Sequence, residues 1–181
     1  MSNVAEILDA IAATPGCSVN PPCGMPAIPQ GVALPADVRD FYERAGGAVL
    51  FSERVVAGPI RILGPGEVQR IDQVIIGEPF ASGPFQWWFA IVEVGDRNYI
   101  AIDLSPEHLG LCYDAFRETF ARPGYMNVIA GSFSDLLGRL LAHKVDTTYW
   151  LQEDFQPLGE GFALHGYKTM DVANEPPAAH G

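Results

Sequence analysis

One β-hairpin signal constrains this chain more than any other feature of its sequence. Residues 87–94 and 97–104 are two runs of aromatic, β-branched and alternating apolar residues, and Gly95-Asp96 lies between them. A two-residue loop with glycine first is typical of a type II′ turn, which fixes the register of the two strands. The facing pairs of core side chains are then Trp87 with Leu104, Phe89 with Ile102, and Ile91 with Ile100.

The opposite face of this hairpin is too polar for a second full core and too aromatic for an ordinary solvated surface. Binding energy at protein interfaces concentrates in aromatic and arginine side chains, so we expect this face and its rim to contact a partner. The predicted contact residues are Trp88, Arg97, Tyr99 and Asp103, with Glu107 nearby. The alternative is that the aromatic C-terminal part of the chain, about residues 149–155, folds back and covers this face.

Three segments carry the apolar spacing of amphipathic helices. They are residues 3–13, a segment that opens at Leu34-Pro35 and closes at Gly46-Gly47, and residues 132–143. Proline suits the first helical position, and Ser132 with Asp135 has the spacing of a capping box. Shorter strands are expected at residues 60–62 and 110–114.

These elements predict a single α+β domain over residues 1–170, in which helices pack on a mixed, mainly antiparallel sheet. Residues 171–181 contain two prolines and mostly small residues, so we expect a mobile tail there. The sequence does not indicate the oligomeric state.

Charge and cysteine content limit the partner class and the compartment. The formal net charge is -11 with only two lysines, so the phosphate backbone of a nucleic acid would be repelled. A basic protein partner is favoured instead, because opposite charges speed encounter. Three cysteines without a repeated spacing indicate reduced thiols and a cytoplasmic protein. The longest apolar runs are too short to span a bilayer, so no membrane association is expected.

No motif in the sequence assembles a catalytic, cofactor-binding or metal-binding site. Ser132 directly follows a glycine, whereas a nucleophile elbow needs glycines two residues away on either side. Cys17 and Cys23 lack the second ligand pair of a zinc site. The sequence therefore predicts no catalytic residue, no cofactor and no metal. A hydrolase that uses dispersed acids such as Asp103, Glu107 and Asp114 together with His108 is the least favoured class of function.

Residues 34–47, Leu-Pro-Ala-Asp-Val-Arg-Asp-Phe-Tyr-Glu-Arg-Ala-Gly-Gly, resemble the N-terminal motif of the SUKH superfamily. This is the Smi/Knr-type family of immunity proteins and cell-wall regulators, in which Leu-Pro opens a helix that closes on Asn-Gly-Gly or a similar turn. Ala45 stands at the asparagine position. The resemblance continues in the family's order through residues 60–63, 99–104 and 132–137, so the motif region covers about residues 34–142.

The resemblance implies a SUKH-like α+β fold and a function in protein binding. Members typically neutralise polymorphic toxins, often nucleases, by direct binding, and the superfamily also includes a fungal cell-wall regulator. The expected function is that of a non-catalytic immunity protein that binds a toxin domain in the bacterial cytoplasm. The alternative is a regulatory or scaffolding protein with a cellular protein partner.

Overall fold

The computed structural model describes residues 3–53, 58–95, 97–143 and 149–167. Its framework is one seven-stranded sheet whose strands follow one another in space in the order of the sequence. The strands are β1 (Ser18–Val19), β2 (Ala48–Leu50), β3 (Ile60–Ile62), β4 (Trp88–Val94), β5 (Asn98–Asp103), β6 (Cys112–Ala115) and β7 (Val128–Ala130). The α+β class is confirmed. Every pairing between these strands is antiparallel. The sheet was predicted to be mixed and mainly antiparallel, and no parallel pair is present among the described residues.

The described helices account for all three predicted helical segments and add shorter ones. The α-helices are α1 (Val4–Ala13), α2 (Ala36–Arg44), α3 (Ile71–Ile75), α4 (Phe133–Ala142) and α5 (Gly161–Leu164), with 3-10 turns at Pro84–Trp87 and Tyr149–Leu151. None of the helices in the described ranges is long and apolar enough to cross a membrane. The tail predicted at 171–181 lies outside the described residues.

Local contacts start the long helices where the sequence predicts. The Asn3 side chain accepts a first-turn amide at 3.1 Å, and Glu6 accepts the Asn3 amide in return at 3.2 Å, which completes a capping box. The Ser132 hydroxyl accepts the Asp135 amide at 3.1 Å at the start of α4. α2 begins directly after Pro35. Each start satisfies or removes an amide donor that a helix cannot pair internally.

Helices α1, α2 and α4 pack against one another and against the sheet. The rings of Phe41 in α2 and Phe133 in α4 meet edge to face, with centroids 5.2 Å apart. The Ser134 amide donates to the carboxylate of Asp37 at 2.8 Å, which joins the start of α4 to the start of α2. These two contacts fix the position of α2 relative to α4.

The loop of the β4–β5 hairpin is longer than predicted. Val94 pairs with Asn98, so three residues, Gly95 to Arg97, connect the strands instead of two. Gly95 and Arg97 both have positive φ, at 61° and 60°. Asp96, on which the predicted type II′ turn also rests, lies outside the described residues.

A β-bulge at Ile91 compensates for the extra loop residue. On its two sides the facing pairs are Ala90 with Ala101 and Val92 with Ile100. The bulge inserts one residue into β4, so the register beyond it returns to the predicted one. The predicted pair Phe89–Ile102 is therefore present, whereas Ile91–Ile100 is replaced by Val92–Ile100.

The sequence predicted Trp87 in the core and Trp88 on the face open to a partner. This prediction is wrong for both residues. Trp88 is fully buried, whereas Trp87 is only half-buried because it ends the 3-10 turn that precedes β4. The other five residues of the predicted core set are buried as expected: Phe89, Ile91, Ile100, Ile102 and Leu104.

The sheet has an inner face toward α2 and α4 and an opposite, outer face. Cys112 pairs with Ile102 and lies on the inner face, since its neighbour Tyr113 points to the other face, where its hydroxyl donates to Asp103. Successive strand side chains point to opposite faces. The outer face therefore carries Trp88, Tyr99 and Asp103.

The C-terminal segment, residues 149–167, extends the sheet beyond β7. The Val128 amide donates to the Gly159 carbonyl at 2.9 Å, and the Val128 carbonyl accepts the Leu158 amide at 3.0 Å. The Gly161 amide donates to the Met126 carbonyl at 2.8 Å. An unpaired strand edge is a template for aggregation, so this segment protects β7.

Arg97 offers a test of the hairpin geometry. A left-handed backbone costs a non-glycine residue about 1–2 kcal/mol, whereas glycine adds only about 0.5–1 kcal/mol of chain entropy. Arg97→Gly should therefore raise the free energy of unfolding by about 0.5–1 kcal/mol in urea denaturation. The control Asn98→Gly, inside β5, should lower it. A loss of stability in Arg97→Gly would contradict the left-handed conformation.

Candidate functional site

The five residues predicted to contact a partner do not form one surface. Trp88 and Asp103 have no exposed area, Arg97 is exposed, Tyr99 is half-buried, and Glu107 is exposed in the turn after β5. The six residues of β5 separate Arg97 from Glu107 by about 20 Å. Burial contradicts the expectation that Trp88 and Asp103 are open to a partner. Binding through Arg97, Tyr99 or Glu107 stays a prediction.

Asp103 is the centre of a buried polar network on the outer face. Its Oδ2 accepts hydrogen bonds from Trp88 Nε1 at 3.0 Å, from the Tyr113 hydroxyl at 2.9 Å and from His165 Nε2 at 2.7 Å. Its Oδ1 accepts the Ser105 amide at 2.7 Å. The donors come from β4, β6, the end of α5 and the turn after β5, so one carboxylate ties four parts of the chain together.

Opposing effects set the pKa of Asp103. Burial alone would raise it, but hydrogen bonds from His165 and Ser105 outweigh burial and hold the pKa below its ordinary value. Burial and the charge of Asp103 raise the pKa of Tyr113, which keeps its hydroxyl protonated and able to donate. A general acid or base needs a pKa near the working pH. Asp103 is therefore suited to holding the structure together and not to transferring protons.

Aromatic side chains of the same chain enclose Trp88. Ring centroids lie 4.8 to 5.8 Å from that of Trp88 for Phe85, Tyr113, Phe162 and His165. The structure thus agrees with the alternative in which the C-terminal part folds back over this face. The covering residues follow Glu160, however, and do not lie in 149–155. Tyr149 instead donates its hydroxyl to the Ile129 carbonyl in β7 at 2.7 Å.

The outer end of the hairpin carries an accessible cluster of arginine and aromatic side chains. Tyr99 pairs with Ala115, and the Arg117 amide donates to Asn98 Oδ1 at 3.2 Å just beyond the ladder. This contact brings Arg117 close to Arg97, the residue before Asn98. We call the cavity of about 110 Å³ at this end the hairpin-end pocket, lined by Arg97, Tyr99, Arg117, Val74 and Ile75.

Sequence reasoning identified Arg97 and Tyr99 but missed Arg117 and His165. Arg117 lies beyond the strand predicted at 110–114, and only the β5–β6 register brings it next to Arg97. His165 is 62 residues away from Asp103, and no spacing rule connects the two. Knowledge of the β5–β6 pairing would have revealed Arg117, whereas no local sequence signal marks His165.

No metal centre can be assigned to the described part of the chain. Within it, no three His, Cys, Asp or Glu side chains are grouped so that they would hold an ion. Cys17, Cys23 and Cys112 are free thiols, and Cys112 is fully buried.

Gly161, the first residue of α5, lies against the Trp88 ring. A Cβ there would lie 2.8 Å from the Trp88 ring and 3.1 Å from Tyr113. Gly161→Ala should overpack this contact and lower the free energy of unfolding by about 1–3 kcal/mol. Gly138→Ala is the control, since its Cβ meets nothing within 4 Å on α4, and it should raise stability by about 1 kcal/mol. Equal effects in urea denaturation would refute the contact.

Asp103 and Asp114 lie on neighbouring strands, and their pKa values are shifted in opposite directions. Hydrogen bonds lower that of Asp103 against the effect of burial, whereas burial raises that of Asp114 to about 6. The ordinary value is near 3.9, so Asp103 stabilises the fold above that pH and loses this contribution as the pH falls through its folded pKa. Asp114 behaves in the opposite way, and its contribution is lost as the pH rises through about 6.

The two asparagine variants should therefore differ in sign. Asp103→Asn should lower the free energy of unfolding at pH 7 by about 1–3 kcal/mol, because its amide group would face a buried donor. Asp114→Asn should raise it by up to about 3 kcal/mol, and the gain should shrink at pH 4.5, where the wild-type carboxyl is protonated in the folded state. Urea denaturation at both pH values measures this. Destabilisation by both variants at pH 7 would contradict the assignment.

Comparison with known proteins identifies the family. The sequence pattern of the SMI1 / KNR4 family (SUKH-1) matches residues 30–139, from before α2 into α4. The chain is also similar to a protein named Immunity protein YokJ from Bacillus subtilis (strain 168), with 35% identity over 160 residues, which are 88% of this chain and 96% of that protein. No solved structure matches the chain. The resemblance found in the sequence motifs is confirmed, and the chain belongs to the SMI1 / KNR4 (SUKH-1) family.

Proposed function

We propose that this chain is an immunity protein that binds a protein toxin in the cytoplasm and blocks it. The observation that carries the proposal is the similarity, over nearly the whole length of both chains, to a protein named as an immunity protein. That similarity spans 160 residues and so extends beyond the segment 30–139 that matches the family pattern. It therefore includes parts of the chain outside the shared framework.

The family membership makes the chain a non-enzymatic protein, and the geometry agrees with a binding role. The dispersed acids considered for a hydrolase do not meet, since Asp103 lies on the outer face and Asp114, paired with Ile100, on the inner face. The Asp103–His165 pair is enclosed, because the His165 side chain is only 11% exposed and Asp103 not at all. Its hydrogen bonds hold the C-terminal segment to the sheet.

The C-terminal segment supplies a surface suited to a basic protein partner. Leu151 is 68% exposed and Leu158 57% exposed, which is unusual for large apolar side chains. Glu153 and Asp154 between them are exposed, and residues 149–167 contain no lysine or arginine. Interfaces commonly combine an apolar centre with a polar rim. A toxin domain with basic residues around an apolar patch would complement this surface.

The net charge supports the same partner class through the rate of encounter. A formal charge of -11 attracts a basic toxin domain over distances longer than any direct contact, and such steering raises the association rate by 10-fold or more at low salt. Fast capture is useful to a protein that must act before its toxin does.

The proposal is tested by producing the chain in cells together with a toxin domain encoded beside its gene. Growth should be restored when the chain is present, and the two proteins should elute as one complex in size-exclusion chromatography. Unrestored growth with no complex would contradict immunity. Restored growth without any complex would contradict direct binding.

Charge reversal on the C-terminal segment should slow complex formation. Glu153→Lys/Asp154→Lys should lower the association rate at least about 10-fold at low salt and less at 0.5 M salt, because screening weakens steering. The matched control is Asp9→Lys/Glu43→Lys on α1 and α2, which changes the net charge equally. If both double variants slow association by the same factor in stopped-flow measurements, the segment is not the contact surface.

A further inference from the structure

The hairpin-end pocket is lined by two arginines, Arg97 and Arg117, from the turns that flank the outer ends of β5 and β6. The Arg117 amide donates to Asn98 Oδ1, next to Arg97, and both arginines line the same pocket, where their like charges repel. Four other arginines have a carboxylate partner within ion-pair distance: Arg44, Arg61, Arg70 and Arg139. Within the described ranges, no carboxylate lies within that distance of Arg97 or Arg117. An anion entering the pocket would relieve their repulsion.

The walls of the pocket restrict what kind of anion it can admit. Val74 and Ile75 of α3 form an apolar wall, and the Tyr99 ring contributes a second one. The volume of about 110 Å³ corresponds to about three or four water molecules. A pocket of this size has room for the end of one side chain.

We propose that the hairpin-end pocket receives the carboxylate of an acidic side chain from a protein partner. Two guanidinium forks can bind the oxygens of a carboxylate with paired, charge-assisted hydrogen bonds. Exposed apolar side chains beside the pocket, Ile76 at 50% and Phe116 at 38%, offer contact to an apolar neighbour of that residue. The proposal rests on the proposed function only in that the occupant belongs to a protein.

The charge of the whole chain excludes an extended polyanion as the occupant. Electrostatic interactions are screened over about 8 Å at physiological salt, so a single carboxylate in the pocket responds to the charges around it, Arg97 and Arg117 among them, more than to the net charge of the chain. A nucleic acid would run on across a surface of net charge -11 and be repelled there. One acidic side chain on a protein surface has no such difficulty.

The backbone of Arg97 supports a functional role for its side chain. Its φ of 60° is a conformation that glycine adopts without strain, and hairpins with three-residue loops usually place glycine there. Arginine occupies this position despite the strain, and strained residues cluster at binding sites. Removal of the side chain should therefore leave the fold intact while it abolishes binding.

The experiment selects binders from a displayed library of random eight-residue peptides on the purified full chain. Nonspecific attraction to an acidic protein would enrich lysine and arginine, whereas the pocket should enrich aspartate or glutamate next to an apolar residue. The test variant is Arg97→Gly/Arg117→Ala, with Arg117→Ala alone as a second variant. The control Arg39→Ala/Arg122→Ala removes the same charge from two exposed arginines elsewhere.

The wild type and the control should enrich acidic peptides, and the test variant should lose that enrichment. The synthetic peptide most enriched should bind the test variant at least about 10-fold more weakly, with a melting temperature that is not lowered. Retained acidic enrichment in the test variant, or enrichment of basic peptides alone on the wild type, would overturn the proposal. No toxin is used, so the result is independent of the growth assay that tests immunity.

Discussion

The buried carboxylate of Asp103 is the interaction on which the closure of the outer face depends. An ionised carboxylate without partners is very costly in an apolar interior, and here four donors satisfy it. One of those donors, His165, belongs to the C-terminal segment, so the segment must return to one position on the sheet to complete the set. The network gives directional specificity that the surrounding aromatic contacts, which tolerate several packings, would not supply alone.

The docking of this segment also solves a problem that the meander creates. A sheet built only from consecutive antiparallel strands ends in two free edges, and without residues 158–161 β7 would be one of them. Residues 158–161 pair with that edge and continue directly into α5, whose Gly161 lies against the Trp88 ring. One stretch of chain therefore protects the edge and covers the outer face. A larger residue at 161 would push the backbone away from the Trp88 ring. The same backbone pairs with Met126 beside β7, so the chain could no longer make both contacts.

Local interactions explain which parts of the fold the sequence could predict. The starts of α1 and α4 depend on side chains within four residues of each other, and both were predictable from spacing. The β4–β5 pairing was predictable from two apolar runs around a glycine. Its loop was not, because Gly95-Asp96 fits a two-residue turn and Arg97 occupies a left-handed position where glycine is the usual signal.

The burial of Trp88 and the composition of the hairpin-end pocket were harder to predict from the sequence, for a different reason. An aromatic residue on the outer face of a hairpin has the same pattern whether a partner or the chain itself covers it. The answer depended on residues near 161–165, which carry no periodicity that points back to the sheet. The hairpin-end pocket was half predictable: Arg97 and Tyr99 share one strand end, but Arg117 joins them only through the β5–β6 register.

The acidic C-terminal segment and the basic hairpin-end pocket are both proposed to contact a partner although their charges are opposite. The two proposals are compatible because the charges would act over different distances. A net charge of -11 acts over about one Debye length, which is longer at low salt, and would favour basic partners before contact. The role proposed for Arg97 and Arg117 begins after contact, where the attraction of a carboxylate within a few ångströms would outweigh the mean field of the surface. A toxin domain with a basic face and one acidic side chain at its rim would satisfy both conditions. A uniformly basic protein would satisfy only the first, so the arginine pair would discriminate against it as a wrong partner.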